Sequence, residues 1–369
     1  MKFRQSGLFL LAAFILIGAI ACKSTPPAEE PPPPVEEVIV QNPDMLAPDQ
    51  ASLNNLNSAV NRTEAARKLV QDFDGPTYFP ADWGAAETLY GTAVNGRRTA
   101  TVRDVRESLS RYNAAAAAYE ALAEKTIPRY ADVLEKEVMA AREGAIDAGA
   151  AYLAPEFLIG TDEYALSAWD MYEAKDYYKA REAGLLVRDA YDALAVGVEA
   201  YKIRLEIQDR DFVYYDQANI AAADDIALSA LEDYENHEIA SADSKAHDVR
   251  ARYEQSLAKA KESYAADCAA AANAERQRAL DIRANIASRQ EFEAADAVFN
   301  QGVAASRSRS FDQASSLYIQ SRTMFASVVA ITQEKRRIAE EALRAAERKL
   351  IESDEEAQRV ELIIEGGSR

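Results

Sequence analysis

Residues Tyr164–Val187 read YALSAWDMYEAKDYYKAREAGLLV. Small and apolar residues recur every three or four positions on both sides of Ala174-Lys175-Asp176, the spacing of one face of an α-helix. The pattern predicts a short helix over Asp162–Ala174, a tight turn, and a long helix from about Tyr177 to Gln208. The same order recurs about four times. Short helical stretches cover Asp82–Asn95, Ala221–Glu235 and Phe292–Arg307. Long ones run from Pro128, read as a first-turn proline, to just before Pro155, from Ser241 to Ala287 and from Phe311 to Ala357. Sustained two-residue alternation is missing apart from brief patches near the termini, so the fold class is all-α. It is an elongated array of helical hairpins, a solenoid or a bundle.

A local pattern inside the helices supports the repeat. An aromatic, an alanine three residues on and a second aromatic four further on occur as Trp83, Ala86 and Tyr90; Tyr112, Ala115 and Tyr119; Phe292, Ala295 and Phe299; and Phe311, Ala314 and Tyr318. Tyr177 and Ala180 form a weaker copy. Residues at these spacings share one helix face, where the alanine lets a neighbouring helix approach while the rings pack at either side. Ala115, Ala180 and Ala314 suggest a period near 67, with Ala246 at the intermediate place.

At this level the residues resemble tetratricopeptide-type helical hairpins. Gly302, Ala314, Tyr318 and Ser321, and likewise Ala168 and Ala180, fall where that family places small, small, aromatic and small residues. Gly184 and Val187 depart from the family pattern. The resemblance covers about a third of the chain and implies a TPR-like α-solenoid with a protein-binding surface. The densest aromatic cluster, Tyr164, Trp169, Tyr172, Tyr177 and Tyr178, is the candidate partner groove, because tyrosine and tryptophan suit half-buried surfaces.

The body is preceded by two unlike segments. Lys2 and Arg4 introduce an apolar run from Leu8 to Ala21, too short at roughly 21 Å of helix to cross a hydrocarbon core of about 30 Å. That is the layout of a secretory signal, residues 1–21. Its end, Ala19-Ile20-Ala21-Cys22, is similar to the lipobox of bacterial lipoproteins, with Ala19 where leucine is usual. The resemblance implies cleavage between Ala21 and Cys22, a covalent lipid on Cys22, and palmitate-type acyl chains that hold the protein to a bilayer. By the sorting pattern of enterobacterial lipoproteins, the same resemblance implies the outer membrane, because Lys23 rather than aspartate follows the cysteine. Residues 22–50 then carry eight of the 12 prolines together with Glu29, Glu30, Glu36 and Glu37, and read as an extended, disordered Pro-rich tether. Residues 51–369 form the helical body.

Charge narrows the partners. The chain carries −19, and loss of Lys2 and Arg4 with the signal would take it to −21. Such a surface excludes nucleic acid bound through bulk electrostatics. Neither a catalytic nor a metal constellation is legible. His237 and His247 lie ten residues apart beside Glu235, Glu238, Asp243 and Asp248 without metal-ligand spacing, and read as solvated helix-end residues. Asp224-Asp225 and Asp354-Glu355-Glu356 are neighbours in sequence and diverge around a helix. Cys268, in an alanine-rich run, reads as a packing residue. No cofactor is expected beyond the lipid. The last long helix presents an amphipathic stripe through Ile338, Leu343 and Leu350, and residues 331–358 offer a surface for self-association.

These readings combine into a lipid-anchored envelope protein that binds or scaffolds another envelope protein without catalysis. The alternatives are a ligand-binding accessory of an envelope transport system and a spacer between membrane and cell wall.

Overall fold

The computed structural model describes residues 42–366, so the signal, Cys22 and the tether up to residue 41 lie outside the described residues. Among the described residues there is no strand, and no helix is long and apolar enough to cross a membrane. The fold is all-α. The described residues form twelve α-helices in order: α1 (Gln50–Asp72), α2 (Gly75–Tyr78), α3 (Pro80–Asn95), α4 (Val102–Asp147), α5 (Ala150–Leu153), α6 (Pro155–Glu173), α7 (Tyr177–Asp209), α8 (Gln217–Glu235), α9 (Ile239–Asp281), α10 (Ala284–Ala287), α11 (Arg289–Arg307) and α12 (Phe311–Gly366). A 3₁₀ turn over Phe212–Tyr215 takes the place of a one-turn helix between α7 and α8.

Backbone signals set these boundaries. The Asp49 carboxylate caps α1 by accepting the Ser52 amide at 2.7 Å. Thr101 and Asp104 form a reciprocal capping box at the start of α4. Asp74, Gly149, Asp211 and Arg283 each take a left-handed conformation just after a long helix, at intervals of 75, 62 and 72 residues. Lys175, His237 and Arg309 do the same between a short helix and the next long one. There the following amide closes back onto a carbonyl five residues earlier, Asp176 to Met171, Glu238 to Asp233 and Ser310 to Ala305, at 2.8–3.0 Å. This is the six-to-one closure that ends a helix and turns the chain tightly.

The chain therefore repeats a four-part unit: long helix, one helical turn, short helix, long helix. The long helices are shared. α4 closes the first unit with Tyr119, Leu122 and Ala123, then opens the second with Ala141 and Ala145. α7 divides in the same way, with Val187 and Tyr191 in one core and Ile207 in the next. α9 sends Val249 and Tyr253 backward, and Ala272 and Ala279 forward. Long helices pack in chain order, α1 on α4, α4 on α7, α7 on α9 and α9 on α12, with each short helix against the long helix that follows it. Contact confined to neighbours makes the array solenoid-like.

Two expectations are corrected at the edges. Pro128 does not start a helix; α4 runs through it from Val102. Both Pro128 and Glu124, whose carbonyl loses its usual amide partner, are exposed, so water can satisfy that carbonyl. The helix read from Ser241 to Ala287 breaks at Arg283, and α10 follows separately. In addition, residues expected to belong to the tether up to residue 50 are ordered: Pro43–Met45 form a 3₁₀ turn capped by Asn42. The Val102 amide donates to the Leu46 carbonyl at 2.9 Å and Arg106 pairs with Asp44 at 2.9 Å, which docks this turn on the start of α4.

Candidate binding grooves

Each unit is locked by one polar constellation. Arg67 on α1 grips Glu87 on α3 through Nε and Nη2 at 2.6 and 3.2 Å, and Tyr119 on α4 donates its hydroxyl to the same carboxylate at 2.6 Å. The second unit repeats this with Arg142, Asp162 and Tyr191, and the third with Arg204, Asp224 and Tyr253. In the fourth, Arg276 holds Asp296 at 2.6 Å, and the tyrosine position belongs to Phe325, which has no hydroxyl. Arginine and acid are 20 residues apart in all four units. The Arg142 guanidinium, helped by Tyr191, holds Asp162 below the usual carboxylate range. At Asp224 burial works the other way, and Arg204 with Tyr253 overcomes it to give a net lowering. Burial first, then the adjacent carboxylate, pushes the Tyr191 and Tyr253 phenols up. Bidentate pairing of this kind fixes the orientation of three helices at once.

With the units in register, one position stands out. Seven residues before that aromatic stand Tyr112, Gly184, Ala246 and Tyr318. The end units are filled: Tyr112 and Tyr318 are buried, and the ring of Tyr318 lies where a Cβ on Gly302 would come within 2.9 Å. In the two central units the small residue leaves an apolar groove. The groove of the second unit measures about 340 Å³ and is lined by Leu134, Leu166, Trp169, Tyr172, Tyr177 and Gly184 among others. That of the third measures about 310 Å³, with Phe157, Tyr201, Leu231, Tyr234 and Ala246 in its wall. Trp169 and Leu231 occupy equivalent rim positions, as do Met139 and Tyr201, and all four side chains are exposed. The end units place the polar residues Glu64 and Asn273 where Met139 and Tyr201 stand.

The predicted aromatic cluster is split. Trp169, Tyr172 and Tyr177 line the first groove, with ring centroids 5.3 and 5.7 Å apart in succession. Burial raises the Tyr172 phenol. Tyr164 and Tyr178 do not belong to it. Tyr164 stacks on His237 at 5.2 Å. Tyr178 turns to α1, its hydroxyl donating to Asp72 at 2.8 Å and its ring beside Phe73. Neighbours on a helix point about 100° apart, so Tyr177 and Tyr178 could not both face one groove.

The packing motif resolves into two registers. Trp83, Ala86 and Tyr90 on α3 and Phe292, Ala295 and Phe299 on α11 hold the same unit positions around Glu87 and Asp296. Tyr112, Ala115 and Tyr119 on α4 correspond to Tyr318, Ser321 and Phe325. The set Phe311, Ala314 and Tyr318 therefore lies seven residues earlier in its unit. Ser108, Ala180, Ala242 and Ala314 are the true equivalents, so Ala115 and Ala246 belong to other positions. All four are buried. Among the described residues no group of three or more His, Cys, Asp or Glu is placed to hold a metal ion. No protein-family model, curated protein or solved structure matches this chain.

Proposed function

We propose that this is a lipid-anchored protein of the bacterial cell envelope whose helical body binds another protein and does no chemistry of its own. The observation that carries this reading is the pair of apolar grooves at equivalent positions of adjacent units, opened by Gly184 and Ala246 and rimmed by exposed Trp169 and Leu231. Two such grooves suit a partner segment that presents apolar side chains to successive units. Large half-exposed aromatics are the side chains that anchor such contacts. The charge pattern adds selectivity, because an acidic body repels acidic segments. The anchor rests on the similarity of Ala19–Cys22 to a lipobox, and placement at the outer membrane rests on Lys23. Cys22 is then the first mature residue and the proline tract its stand-off.

A second reading, a carrier of a small apolar ligand, draws on the same volumes, which fall at the lower end of the range for small-molecule sites. Photo-crosslinkers placed at Trp169 and Leu231 in intact cells separate the two readings. A protein adduct from both positions, absent from the Gly184→Leu/Ala246→Leu chain, is the expected result. Retention of a small molecule with no protein adduct overturns protein binding. Mass spectrometry of Cys22 tests the anchor, and an unmodified thiol there removes it.

A further inference from the structure

The first unit differs from the others at one turn. Between the short helix and the long helix after it, the second, third and fourth units spend three residues, 174–176, 236–238 and 308–310. The first spends six, residues 96–101. Glu87 and Tyr119 are accordingly 32 residues apart, against 29 for Asp162 and Tyr191 and for Asp224 and Tyr253. The longer loop is built into the fold. The buried Ser108 hydroxyl accepts from the Arg98 amide and donates to the Arg98 carbonyl, both at 2.9 Å. Arg111 donates to the Gly96 carbonyl at 2.7 Å. The effect of the loop is to hold Arg97 and Arg98 out in solvent.

Exposed Arg103, on the first turn of α4, joins them at the end of the body where the described chain begins. Among the described residues none of the three pairs with a carboxylate. Arg97 reaches the Asn57 amide oxygen at 3.1 Å, and Arg98 the carbonyls of Arg97 and Asn95 at 3.1 and 3.4 Å. The acids at this end are engaged elsewhere. Asp44 pairs with Arg106 at 2.9 Å and Glu107 with Arg111 at 3.3 Å. Asp49 and Asp104 cap α1 and α4, where the helix dipole offsets their charge. Glu64, the next acid along α1, pairs with none of the three. The same end exposes apolar surface: Met45, Leu46 and Val94 are 44–61% exposed. The Leu46 carbonyl takes the Val102 amide and the Val94 carbonyl takes the Arg97 amide, which ties them to the arginine loop.

We infer that this end of the body docks on a bilayer, with Arg97, Arg98 and Arg103 against anionic phospholipid headgroups and Met45, Leu46 and Val94 against the interface. Arginine set among exposed apolar side chains suits such a surface, where each cation near the headgroups adds to binding. The chain outside the structure ends at the same place. The 20 residues 22–41 join Cys22 to this end, with a reach of about 60 Å in polyproline geometry. The choice of a bilayer as occupant rests on the anchor proposed at Cys22, which brings this end to the membrane. The remainder of a chain carrying −19 is repelled by anionic lipid, so the arginine end is the one that settles there.

The test uses the full chain with a fluorescent amino acid in place of exposed Thr99, beside the three arginines. Vesicles of phosphatidylcholine, with or without phosphatidylglycerol, carry a nitroxide on a lipid headgroup as quencher. Flotation reads the anchor and quenching reads docking. The probe should be quenched in phosphatidylglycerol vesicles and not in neutral ones, and added salt should relieve it. Replacing all three arginines by glutamine should weaken docking roughly a hundredfold, about fivefold for each, whereas lysine at the three positions should keep it. Arg98 also holds carbonyls at the end of α3, so Arg103→Gln alone is the second variant, about fivefold weaker at an unchanged melting temperature. A probe unquenched in phosphatidylglycerol vesicles overturns the proposal, whether or not the chain floats. Equal quenching in neutral vesicles, or in the variant without the arginines, overturns it too. Quenching that appears only after Glu36→Gln and Glu37→Gln assigns the arginines to the chain's own acidic segment, with the same consequence. A chain that floats only with phosphatidylglycerol and is quenched there keeps the docking end and loses the anchor.

Discussion

Tyr191 and Asp162 lie 29 residues apart in the chain, and the hydroxyl of the first donates to the carboxylate of the second. Tyr253 and Asp224 repeat the relationship at the same separation. Because Arg142 holds the same Asp162 carboxylate, the acid is the shared acceptor of three helices. Asp162→Asn keeps the shape, removes the charge and breaks the bidentate pairing. Its expected cost is about 1.5–3 kcal/mol by urea denaturation, the range for hydrogen bonds to a charged group. Tyr191→Phe should cost less, about 1 kcal/mol, since the fourth unit already works with Phe325 at this position.

The same acid predicts how stability depends on pH. Folding holds Asp162 below its ordinary value of 3.8, chiefly through the Arg142 hydrogen bonds. The unfolded chain therefore binds the proton more readily. The stabilisation is complete well above the unfolded value and is lost as pH falls through it toward the folded value. Urea midpoints of the parent should fall as pH is taken below about 4. In Asp162→Asn the fall should be shallower, with the two curves converging in acid.

How far the sequence discloses this structure depends on which contacts are local. Helix positions and the short–long alternation follow from periodicity, and the chain does fold into four such units. A period near 67 approximates true intervals of 75, 62 and 72. The individual register is harder to read, because alanine is frequent enough to align out of place, Ala246 by four residues from Ala242 and Ala115 by seven from Ser108. The Arg–acid–Tyr clamp is not legible in one unit alone. Arg142, Asp162 and Tyr191 lie 20 and 29 residues apart, beyond any helical period, so they make a pattern only once the four units are superposed. Composition places Tyr178 in the groove beside Tyr177, but turn geometry decides which of two adjacent tyrosines faces inward. The grooves themselves had a weak signal in Gly184, a departure from the aromatic expected there.

Filling and emptying the groove position should have opposite outcomes. Tyr112 is buried in the first unit with Ala93 and Leu56. Tyr112→Ala removes that ring from a packed core and should cost about 3–5 kcal/mol, read as a fall in the urea midpoint. It should also create binding of an apolar fluorescent probe at the first unit. Ala246→Leu adds volume where a groove already lies open, so the expected change in stability is under about 1.5 kcal/mol with probe binding reduced. Equal destabilisation by the two substitutions would count against the register drawn between these positions.

The two halves of α12 should differ sharply in local stability. Residues 314–332 bury Ala314, Tyr318, Phe325 and Val328 against α9 and α11, whereas the side chains of residues 333–364 are exposed apart from half-buried Ala345. Hydrogen exchange on dilute protein should show amides of 314–330 protected to near the global limit, and amides of 340–360 exchanging orders of magnitude faster.

Glycine positions give the sharpest steric contrast, because one substitution has opposite signs at two sites. Gly75 opens α2, where the chain leaves α1 through left-handed Asp74. A Cβ there would fall 2.3 Å from Val70 Cγ1 and 2.8 Å from the Val70 carbonyl oxygen. The side chain could turn, but the carbonyl belongs to the last turns of α1 and cannot yield without moving the helix. Gly75→Ala should therefore destabilise by about 1–3 kcal/mol, the usual cost of forcing volume into a packed site. Gly91 lies inside α3, and a Cβ there meets nothing within 4 Å. Alanine at that position only restricts the unfolded chain and improves helix propensity, so Gly91→Ala should stabilise by about 0.5–1 kcal/mol. Paired urea titrations at equal m-value read both signs, and a stabilised Gly75→Ala protein would show that α2 does not pack on the end of α1 as described.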